Sequence, residues 1–484
     1  MTTNAPPRLT LRPYPSYKDS GLWWLRNIPE HWEVRRLRHL FRVLNGATPS
    51  SADADNWDGD IVWITPDDLG RLGGRSISDS KRHLTEKGFS SCAAALGHVG
   101  SIVLSTRAPI GHLAITQVAA CVNQGCRLLM PVYGGSPEYW YYQLLATRHE
   151  LEALGQGSTF TELSRVKLLA VGLVVPPLDE RKGVAQFLEA FYRRINRLVL
   201  AKRRLITLLN EQKQAIIHRA ITRGLDPNVR LKPSGVDWLG DIPEHWEVQP
   251  LFRRYSTELG KMLDTKRITG QHPVRYVRNV NVQWDRLDLR DLQIMDIAPS
   301  EYGRFTLEPG DMLVCEGGDI GRSAFWTGEL ALCGYQKALH RVRVRDARRD
   351  NPRFLYHFMF IASKSGAFLA NGSENTIAHL TGVKLRAQRI PCPPFEEQQA
   401  IAAELAITVS NLERAIDCTY QEIDLLREYR TRLIADVVTG KLDVRGVELP
   451  AIEDNVDMGD EGLDLDESEA DGLDDSEEED HVAD

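Results

Sequence analysis

The chain has 484 residues, 42% of them apolar, and a formal net charge of −8. That length suffices for about three domains with real cores. No apolar run is long enough to cross a membrane and no signal-peptide core is evident, so a membrane-spanning or exported protein is not expected. The net charge conceals a split: residues 453–484 hold 17 Asp and Glu and no Lys or Arg, which leaves +9 on residues 1–452. A basic body is compatible with a polyanionic partner. Seven cysteines without a C-x-x-C pair, and without flanking His at zinc spacing, read as reduced core thiols of a cytoplasmic protein.

In chain order, residues 1–19 are proline-rich and expected to be a flexible arm. A signal then begins at Ser20-Gly21, continues through Trp24-Leu25, and ends Ile28-Pro29-Glu30-His31-Trp32-Glu33-Val34. It returns as Ser234-Gly235, Trp238-Leu239 and Ile242-Pro243-Glu244-His245-Trp246-Glu247-Val248. Seven consecutive identities are far beyond chance. Glu30 and His31 invite a catalytic reading, but no nucleophile or metal set accompanies them. A buried aromatic plug that starts each domain is the better reading.

Two regions follow these plugs, 35–175 and 249–392, mostly unlike in sequence but with echoes in register. Trp63-Ile64-Thr65 matches Tyr276-Val277-Arg278, and Gly100 to Leu104 matches Gly310 to Val314, a turn into an apolar strand. Gly111 matches Gly321, Gln124 matches Gln336, Gly157-Ser158 matches Gly372-Ser373, and Val166-Lys167-Leu168 matches Val383-Lys384-Leu385. These read as two copies of one α/β domain diverged in the loops. Helices are expected over Glu138–Leu154 and Pro352–Leu369.

Each copy leads into a long helical stretch opened by Pro176-Pro177-Leu178-Asp179-Glu180 or Pro393-Pro394-Phe395-Glu396-Glu397, and closed near Leu225-Asp226 or Leu442-Asp443. The Pro-Pro pairs must precede the helices, and a glycine ends each. Val184, Leu188, Phe191, Ile195, Leu198, Leu205, Leu209 and Ile216 fall on a 3-4 spacing with Lys202 and Gln212 in the gaps; Ile401, Leu405, Leu412, Ile416, Ile423, Leu426, Leu433 and Val437 do the same in the second copy. Such a narrow stripe predicts a coiled-coil seam. Rods of roughly 66 Å, equal in length, can bury each other.

These motifs resemble those of the specificity subunit of Type I restriction-modification systems, over roughly residues 14–445. The resemblance implies an α+β chain. Two tandem α/β target recognition domains are separated by two long helices that pair as an antiparallel coiled coil, a pseudo-two-fold repeat. The expected division is a flexible arm over 1–19, recognition domains over 20–175 and 227–392, spacer helices over 176–226 and 393–443, and an acidic disordered tail over 444–484. The tail departs from the family pattern; one reading has it mimic DNA and cover the basic body. The resemblance also implies double-stranded DNA, two methyltransferase subunits and restriction subunits as partners. S-adenosylmethionine, ATP and Mg are then bound by those partners, with no cofactor, metal or catalytic residue in this chain.

Base reading needs Arg, Lys, Asn or Gln at base edges, supported by Ser and Thr. The first domain offers Arg71, Arg75, Lys81, Arg82, Arg107, Asn123, Gln124, Ser158 and Thr159. The second offers Lys261, Lys266, Arg267, Arg275, Arg278, Asn279, Arg322, Gln336, Lys337, Ser373 and Asn375. Because the sets differ, the two half-sites are expected to differ. An amino-methyltransferase reading fails on Cys392-Pro393-Pro394-Phe395, whose first residue cannot accept a hydrogen bond from a target amine in the way Asn or Asp does. No phosphate-binding G-x-x-x-x-G-K-S/T is present. The alternative from another class is a scaffold that binds no DNA and bridges proteins through the rods.

Overall fold

The computed structural model describes residues 11–134, 136–156, 161–263, 270–368 and 379–447. They form two compact units, the first drawn from Met1–Arg203 and Tyr420–Asp484, the second from Arg204–Thr419. Among the described residues no helix is long and apolar enough to cross a membrane.

The units repeat one frame. In the first, strands Phe41–Asn45, Cys126–Pro131, Ile102–Ser105, Leu113–Thr116 and Ser76–Ile77 lie side by side in that order. In the second, Tyr255–Leu259, Leu339–Val344, Met312–Cys315 and Ser323–Phe325 do so. Each unit adds a three-stranded sheet centred on Trp57–Ile64 or Pro273–Val277, with one parallel neighbour, Ala120–Val122 or Gly334–Tyr335. The strand echoes expected from sequence are thus real equivalents, and Gly111 and Gly321 take the same left-handed turn at φ 93° and 84°. One echo shifts by a residue. Asn123 N–H donates to Ile64 O and Gln336 N–H to Val277 O, each at 3.0 Å. Asn123 therefore corresponds to Gln336, and Gln124 to Lys337.

The expected helix over Glu138–Leu154 is two, Pro137–Ala146 and Arg148–Ala153. The break falls at Thr147, whose hydroxyl turns back to Gln143 O at 2.5 Å. The helix expected over Pro352–Leu369 ends early, at Lys364: residues 365–368 form a turn with Gly366 at φ 69°, and residue 369 lies outside the described residues.

The long helices are Leu178–Arg223 and Phe395–Val438. They run antiparallel within each unit. In the first, Lys202 pairs with Glu422, while Arg430 donates to Asn196 Oδ1 at 3.0 Å. In the second, Lys213 pairs with Glu413 at 3.5 Å, and Ile217 and Ile221 share a core with Ile401 and Leu405. The second helix buries Ile401, Leu405, Ile416, Ile423, Leu433 and Val437 as expected, with Leu412 and Leu426 partly covered. In the first, Val184, Leu188 and Ile195 are buried, and Phe191, Leu209 and Ile216 partly so. Leu198 and Leu205 are not in the seam: both are 43% exposed, and Val199 and Ile206 are buried in their place. Apolar residues stand at both members of Leu198-Val199 and Leu205-Ile206, so spacing cannot choose between frames. The chosen frame puts Lys202 and Lys213 in the seam, their stems covered and their ammonium groups on the partner's carboxylates.

The plug proves to be half of a grip. Trp32 is fully buried, its indole N–H donates to Glu180 Oε2 at 2.8 Å, and His31 Nε2 lies 2.7 Å from Glu180 Oε1. In the second unit Trp246 donates to Glu397 Oε2 at 3.0 Å, and His245 Nε2 lies 2.9 Å from that same oxygen. Each long helix ends on a left-handed glycine against such a Trp: Gly224 beside Trp246, Gly440 beside Trp32.

Two boundaries need correction. The expected flexible arm is ordered from Leu11, because Tyr14 is buried against Trp32 and Tyr17–Asp19 pairs with Asn27–Pro29. The expected tail is ordered over 444–447: Val444 is buried, and Arg445 pairs with Asp443 at 2.7 Å and Glu180 at 3.4 Å. The acidic stretch 453–484 lies outside the described residues.

Glu397→Ala should leave the Trp246 indole without its acceptor and cost about 1.5–3 kcal/mol. Gly440→Ala should also destabilise, since a Cβ there would sit 2.3 Å from Pro29 Cδ at φ +78°. Denaturant unfolding checks both; unchanged midpoints would show that the grip carries no stability.

Candidate nucleic-acid interface

In each unit four loops meet at one end of the sheets. The first contains Gly46 or Gly260, pressed so closely on the strand beneath that a Cβ would lie 1.8 Å from Asn123 O or 2.2 Å from Gln336 O. The second follows the Trp57–Ile64 or Pro273–Val277 strand. It is closed by a side chain that accepts from the loop's first N–H: Asp68 Oδ2 from Thr65 at 2.8 Å, Asn281 Oδ1 from Arg278 at 2.8 Å. The third runs Thr106–Gly111 or Glu316–Gly321, and the fourth carries Asn123-Gln124 or Gln336-Lys337. Backbone hydrogen bonds join them, Thr106 N–H to Gly125 O at 2.7 Å and Glu316 N–H to Ala338 O at 3.0 Å.

The first rim gathers Arg107, Asn123 and Gln124 of the residues expected from sequence. Asn123 Oδ1 accepts from Gly125 N–H at 2.9 Å, and Gln124 accepts from the Thr48 hydroxyl. Arg107 Nε meets Glu162 Oε2 at 3.3 Å, and Arg127 Nη2 lies 3.9 Å from Glu162 Oε1. Arg127 also donates to Gln124 O at 2.9 Å. Burial pulls its guanidinium below the ordinary range, against the pull of Glu162. Arg71 pairs with Asp67 at 3.0 Å on a neighbouring helix, Lys81 is exposed, and Arg82 stacks 3.4 Å over the Trp57 ring. Arg75 is turned inward, paired with Glu189 and donating to the Tyr142 hydroxyl at 3.1 Å. Ser158 and Thr159 lie outside the described residues.

The second rim gathers Arg278, Asn279, Arg322, Lys261, Gln336 and Lys337. Arg278 pairs with Asp291 at 2.7 Å, Arg322 donates to Asn279 O at 3.2 Å, and Asn279 donates to Gly317 O at 3.1 Å. Three buried atoms of this cluster, Arg278 Nε, Arg322 Nε and Asn279 Oδ1, meet no hydrogen-bond partner among the described residues. Such polar atoms have hydrogen-bonding capacity that water or a polar ligand can take up. Lys261 pairs with Glu301 at 2.6 Å and bridges Gln336 through the backbone, and Lys337 is exposed. Arg275 is exposed on the strand leading to this rim. Lys266, Arg267, Ser373 and Asn375 lie outside the described residues. Sequence reasoning missed Thr48, Arg127 and Glu162 in the first rim, and His340 and His379 in the second. A search for donors to bases passes over a carboxylate, and nothing local tells a strand arginine from a rim arginine.

The type I restriction modification DNA specificity domain matches this chain over residues 29–207 and 260–424. The chain belongs to that family. It is similar to two Methanocaldococcus jannaschii proteins. One is the type I restriction enzyme MjaIX specificity subunit, 37% identical over 34% of this chain and 38% of that subunit. The other is the putative type I restriction enzyme MjaX specificity subunit, 24% identical over 86% of this chain and 95% of it. A chain from a solved structure on complex assembly and conformational transition of the type I R-M system shares the fold. It has a TM-score of 0.66 and 15% identity, covering 86% of this chain and 99% of that one. The family is one of DNA sequence specificity, and its match spans both rims and most of both long helices.

Arg75→Ala should lower stability by about 1–3 kcal/mol, since Glu189 and Tyr142 lose a largely buried partner, and leave DNA preference unchanged. Unfolding midpoints and selection from randomised duplexes check this; an altered preference would return Arg75 to the recognition set.

Proposed function

We propose that this chain is the DNA-reading subunit of a Type I restriction-modification complex. It recognises a bipartite, asymmetric duplex site, one half with each rim. The carrying observation is that two rims built by the same backbone hydrogen bonds bear different side chains: Arg107, Arg127 and Glu162 against Gly317, His340 and His379. A common frame with unlike reading groups is what a split, non-palindromic target requires.

In this reading the paired long helices are a spacer and the docking surface for two methyltransferase subunits, with restriction subunits joining the assembly. Methyl transfer and cleavage belong to those subunits, which also bind S-adenosylmethionine, ATP and Mg. The chain contributes recognition alone, in the cytoplasm.

A base-modification map of host DNA with and without the gene tests the proposal. Loss of one methylated, split, asymmetric motif on deletion is expected. A map unchanged by deletion in cells that retain an active partner methyltransferase would overturn it. The spacer role has its own test: a heptad inserted into both long helices should shift the preferred gap between half-sites from its wild-type value. An unchanged gap would show that the helices do not set the distance.

A further inference from the structure

We propose that Arg107 with Glu162 in the first rim, and Gly317 with His379 in the second, set which base pair each domain accepts at one position of its half-site. The proposal rests on the DNA-reading role and adds the residues that decide it.

The two pairs occupy one place in the frame. Leu163 N–H donates to Thr106 O at 2.8 Å, and Leu380 N–H donates to Glu316 O at 2.8 Å. Arg107 and Gly317 follow those acceptors in sequence; Glu162 and His379 precede those donors. A third position changes with them. Cys126 N–H bonds to Asn123 O and Leu339 N–H to Gln336 O, so Arg127 and His340 are equivalent. The whole set has therefore been exchanged, two arginines and a carboxylate for a glycine and two imidazoles.

Each set is internally complementary. In the first rim Glu162 takes Arg107 through Nε. Among the described residues the two Nη groups meet no acceptor, which leaves them for an outside one, on a side chain still 45% exposed. A guanidinium held this way matches the O6 and N7 acceptors of a guanine in the major groove. Arg127 lies behind them with a buried Nε that meets no partner among the described residues. In the second rim His379 Nδ1 lies 3.3 Å from where a Cβ on Gly317 would stand. The imidazole thus fills the space an arginine would need. His340 Nε2 reaches Leu380 O at 2.9 Å, fixing the backbone next to His379. Asn279, donating to Gly317 O, completes that rim with a buried Oδ1 that meets no partner among the described residues. The first pair can select guanine by a fork of donors; the second has no fork to offer.

The test uses the full chain co-expressed with its partner methyltransferase, the modified motif being mapped for wild type, for the double variant Arg107→Gly/Glu162→His, and for Glu162→Gln. The double variant should lose discrimination at a single G·C pair of one half-site, by roughly 5- to 150-fold, with the other half-site unchanged. Glu162→Gln should weaken the same position less. An unchanged motif in both variants overturns the proposal, as does uniform loss at both half-sites from a folded chain. If the double variant fails to accumulate, Glu162→Gln decides alone: no change at any base pair overturns the proposal. A wild-type chain that directs no split motif would instead overturn the DNA-reading role itself.

Discussion

The structure depends on a carboxylate held by a buried tryptophan. Glu180 and Glu397 stand in the first turn of the long helices and bind the indole N–H of Trp32 and Trp246. A buried indole N–H without an acceptor is costly, so this bond fixes where each helix leaves its domain. The same tryptophans close the circuit from the other side, since the glycines ending the two helices pack on them. In the first unit the chain beyond the second helix adds Arg445, which joins Glu180, Asp443 and the face of the Tyr14 ring. Burial, together with the Glu180 carboxylate, raises the Tyr14 phenol above its ordinary range, so it remains a neutral donor in this cluster. One pair of groups thus orients domain and rod together, and it occurs twice.

That frame frees the rims to differ. Shared features carry the geometry of the loops: the side-chain cap at Asp68 or Asn281, the glycine approach at Gly46 or Gly260, and the backbone bonds linking the third loop to the fourth. The side chains at the rim differ between the units on this shared frame. His340 shows the limit of this separation. It is buried, hydrogen-bonded to Leu380 O, and held by burial below the usual imidazole range, hence neutral. It occupies the place of a cationic Arg127 without disturbing the strand pairing around it. A site whose charge can change this much on unchanged strands can acquire a new preference without a new fold.

Much of this was legible in the sequence, and the parts that were not share a cause. The repeated Ile-Pro-Glu-His-Trp segment, the Pro-Pro helix starts and the Trp63 and Tyr276 strands are local signals, and each sits where its residues imply. The partner of Trp32 is not local: Glu180 lies 148 positions away, so the segment reads as a plug but not as half of a grip. The seam of the first helix failed at Leu198 and Leu205 because aliphatic neighbours satisfy two frames equally. The frame that forms sets Lys202 against Glu422 and Lys213 against Glu413 on the other helix, contacts that the first helix's own spacing does not show. The rims were half legible. Arg107, Asn123 and Arg322 stand out as donors on loops, whereas Glu162 has a role only once Arg107 and Arg127 are known to face it.

The two long helices show how far copies of one element can part while keeping their fit. Their lengths are 46 and 44 residues. The first carries eleven Lys and Arg against four Asp and Glu. The second carries four Lys and Arg against nine Asp and Glu. Two copies of the first helix side by side would bring like charges together, as would two copies of the second, whereas one of each places Lys202 against Glu422 and Lys213 against Glu413. Exposed pairs of this kind each contribute only about 0–1 kcal/mol. Their larger effect is on choice, since like-charge juxtaposition disfavours the wrong pairing while the apolar seam would tolerate it. The asymmetry of the rims is therefore matched by an asymmetry of the rods. A chain with two unlike rims also carries, in its helices, the charges that favour joining one of each.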